Sequence, residues 1–154
     1  SDPFNMLQPG SNGLDLSHHN GRIDWDAFEA APVDFIYFKA TEGSDWKDPR
    51  FLDHWREAKA RGWKIGAYHF YRLCRPGAEQ AQNFIQSVEV RAGGLPPAVD
   101  LEYAHNCEPR GTTAETLVPS ARRFSNRRTL VLTLTSSRNS VAVPWLPSGR
   151  LASR

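Results

Sequence analysis

The chain has 154 residues, of which 40% are hydrophobic and 11% aromatic, and its formal net charge is +2 at pH 7. A chain of this length and apolar content can bury a sizeable core, so we predict one globular domain rather than a disordered chain. No run of about 18 apolar residues is present, which excludes a membrane-spanning helix, and the opening residues lack the basic and then apolar pattern of a secretion signal.

Strands and helices alternate in the prediction for the first 107 residues. A short strand over residues 13–17 is followed by a helix over residues 24–31, for which Asp24 is the N-cap. Residues 33–43 then form an apolar, β-branched and aromatic run, which is typical of a strand covered on both faces.

The second helix is predicted over residues 48–62, with Asp48 as its N-cap, Pro49 in its first turn and Gly62 at its C-terminus. The remaining elements are a strand over 63–72, a helix over 77–90 and a strand over 96–103. This alternation with short connections predicts an α/β fold of parallel strands joined by right-handed crossovers.

Polar side chains occur near the carboxyl ends of all four predicted strands. In a parallel α/β fold that edge binds ligands, because the loops converge there. A polar residue at one strand end is equally well explained as a solvated surface group, but four strands repeat the placement. The residues are Asp15 and Ser17, then Lys39, Thr41 and Glu42, then His69 and Tyr71, then Asp100 and Glu102.

Asp100 and Glu102 are the pair that indicates chemistry. They are two residues apart on one predicted strand, so both side chains point to the same face with Cβ atoms roughly 6.5 Å apart. Repulsion between like charges and partial burial raise the pKa of one carboxyl group, which leaves a protonated acid beside an ionised one. Cleavage of a glycosidic bond requires such a pair. An Asp-x-Glu alone is common by chance, and a solvated strand end is the other interpretation.

Several motifs in order make the chain resemble the glycoside hydrolase family 25 lysozymes, the muramidases of the Chalaropsis type. The resemblance covers about residues 12–103 and implies an irregular, TIM-like (β/α) barrel. It also implies cleavage of the β-1,4 bond between N-acetylmuramic acid and N-acetylglucosamine in peptidoglycan. The motifs that carry it are GLDLSHHNG followed by IDW, then FIYFKATEG, GAYHFYR, EQAQNF and PPAVDLE.

The resemblance assigns roles to three carboxylates. Glu102 is expected to be the general acid and base. Asp100 is expected to be either the nucleophile or the group that orients the acetamido oxygen of the substrate. Asp15 is expected to tune this pair or to bind sugar.

Other residues match the surroundings of the family's active site and are expected to contact substrate. For Lys39, an ion pair with Glu42 or Asp100 is an equally good interpretation. For His69, a buried hydrogen-bonded side chain is the alternative. The expected substrate contacts are Lys39, Glu42, Tyr68, His69 and Tyr103.

No metal and no cofactor are expected, because carboxylates alone can perform acid–base chemistry on an acetal. His18 and His19 lack a third ligand at metal-site spacing and are predicted loop residues. The expected partner is the glycan strand of peptidoglycan, with no nucleic acid, and we expect a monomer.

Cys74 and Cys107 follow the third and fourth predicted strands, on loops at the same edge of the sheet. They are disulfide candidates, which is consistent with a secreted or cell-envelope protein.

Residues 108–154 have a different composition, with eight arginines against two acidic residues, thirteen serines or threonines, and no aspartate or lysine. Residues 1–107 are therefore net negative. We expect an N-terminal extension at 1–11, the first half of the barrel at 12–107, and an atypical tail at 108–154 with one strand over 129–135. The barrel is thus expected to be incomplete in its C-terminal third.

The change of composition near Cys107 is typical of translation in a shifted reading frame of a high-GC gene. The alternative is a basic arm that attracts anionic wall polymers or nucleic acid. Two other functions stay open at this point: a non-catalytic glycan-binding relic of the family, and a chitinase-like glycosidase, which also carries an Asp-x-Glu at a strand end.

Overall fold

The computed structural model describes residues 11–88, 95–102, 106–108 and 130–132. Tyr103, most of the N-terminal extension and nearly all of the tail lie outside the described residues. A short 3-10 helix, His18–Asn20, follows the first strand. The strands and α-helices are β1 (Gly13–Leu16), α1 (Trp25–Ala30), β2 (Phe35–Glu42), β3 (Trp46–Lys47), α2 (Phe51–Ala60), β4 (Lys64–Phe70), α3 (Gly77–Ser87), β5 (Ala98–Asp100) and β6 (Leu130–Leu132).

The described strands form one sheet in the order β1-β2-β4-β5-β6, with β3 paired to β2 off this path. All neighbours along the path are parallel, and only the β2–β3 pair is antiparallel. The predicted α/β class with parallel strands is therefore confirmed. β6 lies inside the stretch 129–135 that was predicted as the strand of the tail, and it extends the sheet beside β5.

The start of α1 agrees with the sequence prediction, and the start of α2 differs from it. Asp24 caps α1, and its carboxylate accepts a hydrogen bond from the backbone N–H of Ala27 at 3.2 Å. Asp48 does not cap α2, because that helix begins at Phe51 and Arg50 occupies the N-cap position. The carboxylate of Asp48 instead accepts a hydrogen bond from the backbone N–H of Arg50 at 2.8 Å, in the turn before the helix.

Two apolar clusters lie on opposite faces of the sheet. The first, here the helix face, joins strand residues such as Ile36, Ile65 and Val99 to helix residues such as Ala58 and Phe84. The second, here the carboxylate face, consists of Phe35, Tyr37, Tyr68, Leu95 and Ala98. Alternate residues of a strand point to opposite faces, so this division follows directly from the strand periodicity.

Gly66 provides the space that the Tyr37 ring occupies on the carboxylate face. A Cβ atom at this position would lie 2.3 Å from Cε1 of Tyr37, which is far inside van der Waals contact. The Tyr37 hydroxyl donates a hydrogen bond to the carbonyl oxygen of Pro96 at 2.9 Å, and this ties β2 to the segment before β5. Among the described residues, no helix is long and apolar enough to cross a membrane.

Candidate active site

The strand register brings Asp15 and Asp100 to the carboxylate face. Asp15 in β1 pairs with Tyr37 in β2, and Asp100 lies two residues beyond Ala98 in β5. Laterally paired residues of parallel strands share a face, as do alternate residues of one strand. Asp100 is 4% exposed, whereas Glu102, two residues further on, is half-buried.

Tyr68 in β4 interacts electrostatically with these carboxylates. The side chain is buried, and burial raises the pKa of its phenol well above the ordinary value. The negative charges of four carboxylates raise this pKa further, in the order Asp15, Asp100, Asp48 and Glu102. The phenol therefore stays neutral and keeps its O–H donor, and the three predicted catalytic carboxylates are among the charges that act on it.

A β-bulge brings Lys39 and Glu42 together at the end of β2. The register between β2 and β4 shifts between Lys39 and Thr41, so that Lys39 pairs with Tyr68 while Thr41 pairs with His69. Because the extra residue shifts the alternation of faces, Lys39 and Glu42 meet although they are three residues apart. The distance between Lys39 Nζ and Glu42 Oε2 is 2.6 Å.

The Lys39 ammonium is also flanked by two aromatic rings. It lies 4.9 Å from the ring centroid of Trp46 and 5.0 Å from that of Phe70, distances at which a cation is attracted to the ring face. Arg72 Nη1 lies 3.6 Å from the other carboxylate oxygen of Glu42. Of the two pairings considered for Lys39, the structure contains the one with Glu42.

His69 lies on the face of the sheet opposite to Asp15 and Asp100. Its neighbour Tyr68 faces them, so alternation turns His69 to the helix face, where it is fully buried. Its Nε2 bonds the amide oxygen of Gln80 at 2.9 Å, and its Nδ1 bonds the hydroxyl of Thr41 at 2.6 Å. Burial lowers its pKa from 6.5 to about 4, so the ring is neutral at pH 7. This buried, hydrogen-bonded side chain matches the alternative interpretation of His69, so we do not include His69 among the proposed substrate contacts.

Asp48 is the residue near this site that the sequence interpretation missed. Its carboxylate is completely buried and accepts hydrogen bonds from the backbone N–H of His18 at 2.9 Å and from the His18 ring at 3.0 Å. The His18 ring in turn lies 5.0 Å from the Trp46 ring. Interpreting Asp48 as a helix cap hid this role, and the sequence contains no local signal for a partner 30 residues away.

Cys74 and Cys107 form the disulfide for which they were candidates, with Cα atoms 5.7 Å apart. It connects the segment after β4 to the segment after β5. Tyr103, the remaining expected substrate contact, lies outside the described residues.

The chemistry that this arrangement allows is acid–base catalysis. The carboxylate face holds Asp15, the buried Asp100, a phenol that stays neutral and a lysine ammonium in an ion pair, and the half-buried Glu102 follows the end of β5. Neighbouring carboxylates in a partly desolvated site can divide the roles of proton donor and anion between them.

A family model described as Glycosyl hydrolases family 25 matches residues 14–132. The match extends past the stretch of about residues 12–103 that the resemblance covered and reaches the last residue of β6. Lysozyme M1 of Streptomyces globisporus is 37% identical over 102 residues, which are 61% of this chain and 33% of that protein.

Two solved structures share the fold. A family 25 glycosyl hydrolase from Bacillus anthracis superposes with a TM-score of 0.67 at 29% identity, covering 79% of this chain and 59% of that chain. A bacterial lysozyme from Streptomyces coelicolor gives a TM-score of 0.67 at 28% identity, covering 81% of this chain and 63% of that chain. The present chain thus spans about a third of the length of the curated relative and about three fifths of these structures.

Proposed function

The chain belongs to glycoside hydrolase family 25, and from this membership we propose that it is a peptidoglycan hydrolase. The reaction is hydrolysis of the β-1,4 bond between N-acetylmuramic acid and N-acetylglucosamine, the activity of a lysozyme or muramidase. Relatives that carry the names Lysozyme M1 and Autolytic lysozyme support this proposal.

The observation that carries the proposal is that the predicted catalytic carboxylates lie at the carboxyl ends of parallel strands and all act electrostatically on one buried tyrosine. Asp15 in β1 is far in sequence from Asp100 and Glu102 at the end of β5, yet all three raise the pKa of Tyr68. A single solvated strand end would not gather acids from β1 and β5 at one buried phenol. Acid–base cleavage of an acetal needs such a group and needs no metal.

Glu102 is proposed as the general acid that protonates the leaving oxygen and then as the base that activates water. Its position beyond the end of β5 leaves it half-buried, so a proton can be exchanged with solvent. Asp100, which is 4% exposed, is proposed as the nucleophile or as the group that orients the acetamido oxygen of the substrate. Asp15 is proposed to tune the pair or to bind sugar.

The surroundings of the acids are proposed to bind the glycan strand through Lys39, Glu42 and Tyr68, with Tyr103 as a further contact. The partner is peptidoglycan rather than nucleic acid, and the protein is proposed to act as a monomer. The disulfide between Cys74 and Cys107 supports a location outside the cytoplasm, either secreted or in the cell envelope.

A turnover assay on purified peptidoglycan tests this proposal. The full chain should release new reducing ends, and reduction with borohydride followed by sugar analysis should find them on N-acetylmuramic acid. Chitin oligomers are assayed in parallel. Faster cleavage of chitin oligomers would favour a chitinase-like enzyme, whereas binding of peptidoglycan without new reducing ends would favour a glycan-binding relic.

A further inference from the structure

Glu102 lies outside the strand that precedes it. β5 ends at Asp100, and the register between β4 and β5 ends at the pair Phe70 and Asp100. One further backbone hydrogen bond, from Tyr71 N–H to the carbonyl oxygen of Asp100 at 2.9 Å, continues the pairing. Glu102 follows the last paired residue, so contacts other than strand pairing must fix its backbone. A fixed backbone is needed because catalysis requires the Glu102 carboxyl group in a defined position.

The side-chain amide of Asn106 makes such contacts. Its Nδ2 group donates to the carbonyl oxygen of Glu102 at 2.9 Å and to that of Tyr71 at 2.7 Å. Its Oδ1 atom accepts from the backbone N–H of Leu73 at 3.0 Å and from that of Cys107 at 2.8 Å. One amide therefore links the carbonyl group of Glu102 to the segment that follows β4. It replaces the backbone hydrogen bonds that strand pairing would provide at this position.

The disulfide restricts the backbone next to Asn106. Cys107 is the next residue in the chain, and its covalent bond to Cys74 ties it to the same segment that Asn106 contacts. The backbone N–H of Cys74 also donates to Cys107 Sγ at 3.1 Å. Asn106 therefore precedes a cross-linked residue in the chain, and its side chain donates a hydrogen bond to the carbonyl group of Glu102.

We propose that Asn106 is a positioning residue for Glu102, which fixes the general acid and base through its backbone carbonyl group. The inference rests on the proposed function, in which Glu102 transfers the proton. Asn106 does not reach the reacting atoms through its amide, which is used on four backbone groups. Its loss should therefore change the rate of turnover more than the binding of substrate.

The variant Asn106→Asp tests this in the full chain. It keeps the size of the side chain and an acceptor oxygen, but it removes both N–H donors and leaves an oxygen facing the carbonyl groups of Tyr71 and Glu102. Asn106→Ala removes the amide without adding a charge and is measured in the same way. Ile65→Val is the control, because Ile65 lies in the core of the helix face and its truncation lowers stability away from this loop.

Two measurements are made on each variant. The first is kcat and KM for release of reducing ends from peptidoglycan. We expect both Asn106 variants to lower kcat by about tenfold or more with KM little changed, since misplacing a catalytic group by about 1 Å can cost on the order of 10²-fold. The second is amide hydrogen exchange of the peptide that contains Glu102 and Asn106, which should be faster in these variants and unchanged in Ile65→Val.

An unchanged kcat in the Asn106 variants, or a loss no larger than that of Ile65→Val, would overturn the inference. A rise in KM at constant kcat would also overturn it, because that pattern belongs to a substrate contact. If the wild-type chain releases no reducing ends, the proposed function fails, and hydrogen exchange alone decides. Faster exchange in the Asn106 variants then shows that Asn106 fixes the backbone at Glu102, and unchanged exchange refutes this.

Discussion

Lys39 and Glu42 form an ion pair of 2.6 Å across a bulge in their own strand. In a regular strand, two residues three positions apart point to opposite faces and cannot meet. The pair therefore exists because the register of β2 against β4 shifts between Lys39 and Thr41. The Lys39 side chain is 8% exposed and that of Glu42 is 26% exposed, so much of the interaction is shielded from water.

A double-mutant cycle measures what this pair contributes. We expect Lys39→Met and Glu42→Gln to interact with a coupling free energy of about 1–2 kcal/mol in urea unfolding, because a charge-assisted hydrogen bond with little exposure is stronger than a surface ion pair. The pair between Arg61 and Glu29 is the matched comparison, since both of its side chains are more than a third exposed. Equal coupling free energies for the two pairs would contradict the shielding argument.

The buried His69 should make stability depend on pH. Its folded pKa of about 4 lies below the ordinary 6.5, so the unfolded state takes up a proton first as the pH falls. Stability is therefore fully present above about pH 6.5 and is progressively lost toward about pH 4. Between about pH 7 and pH 5, the wild type should lose about 2 kcal/mol more than His69→Gln in urea unfolding.

The control for this experiment is His19→Gln, which alters an exposed histidine of the 3-10 helix. Its stability should fall with pH in parallel with the wild type. Parallel curves for the wild type and His69→Gln would show that burial of His69 does not govern this part of the pH dependence.

Tyr68→Phe should slow turnover while preserving the fold. The change removes only the hydroxyl from a buried ring among four carboxylates, so the packing of the carboxylate face is kept. A tyrosine phenol is neutral at neutral pH and can donate a hydrogen bond, and loss of one such donor can lower kcat on the order of 10²-fold. The measurement is kcat for release of reducing ends from peptidoglycan.

Tyr37→Phe is the matched control for Tyr68. Tyr37 lies on the same face, but its hydroxyl donates to the carbonyl oxygen of Pro96. Its loss should cost about 1 kcal/mol of stability and leave kcat near the wild-type value. A similar kcat for both variants would remove Tyr68 from the proposed site.

Local signals were sufficient to predict most of the fold. The strand predicted over 63–72 is observed at Lys64–Phe70, and the helix cap at Asp24 is observed as predicted. Such features depend on side-chain periodicity and on hydrogen bonds within one turn, both of which are visible in a short stretch of sequence. The parallel direction of the strands then follows from the alternation of strands and helices.

Features that depend on distant contacts could not be predicted. The bulge in β2 exists only through pairing with β4, and the buried carboxylate of Asp48 is satisfied by His18, 30 residues earlier. Asn106 likewise acts on Tyr71, 35 residues away, through a side chain with no distinguishing motif. The placement of Asp15 and Asp100 at the same edge of the sheet could be predicted, because parallel topology alone puts the carboxyl ends of their strands there.

The most direct test of the central claim compares Glu102→Gln with Glu79→Gln in the release of reducing ends from peptidoglycan. Both variants replace a carboxylate with its isosteric amide, but Glu79 is exposed on α3. If Glu102 is the general acid and base, Glu102→Gln should lower kcat on the order of 10³-fold while Glu79→Gln keeps the wild-type rate. Wild-type turnover in Glu102→Gln would contradict the assignment of this residue and the mechanism built on it.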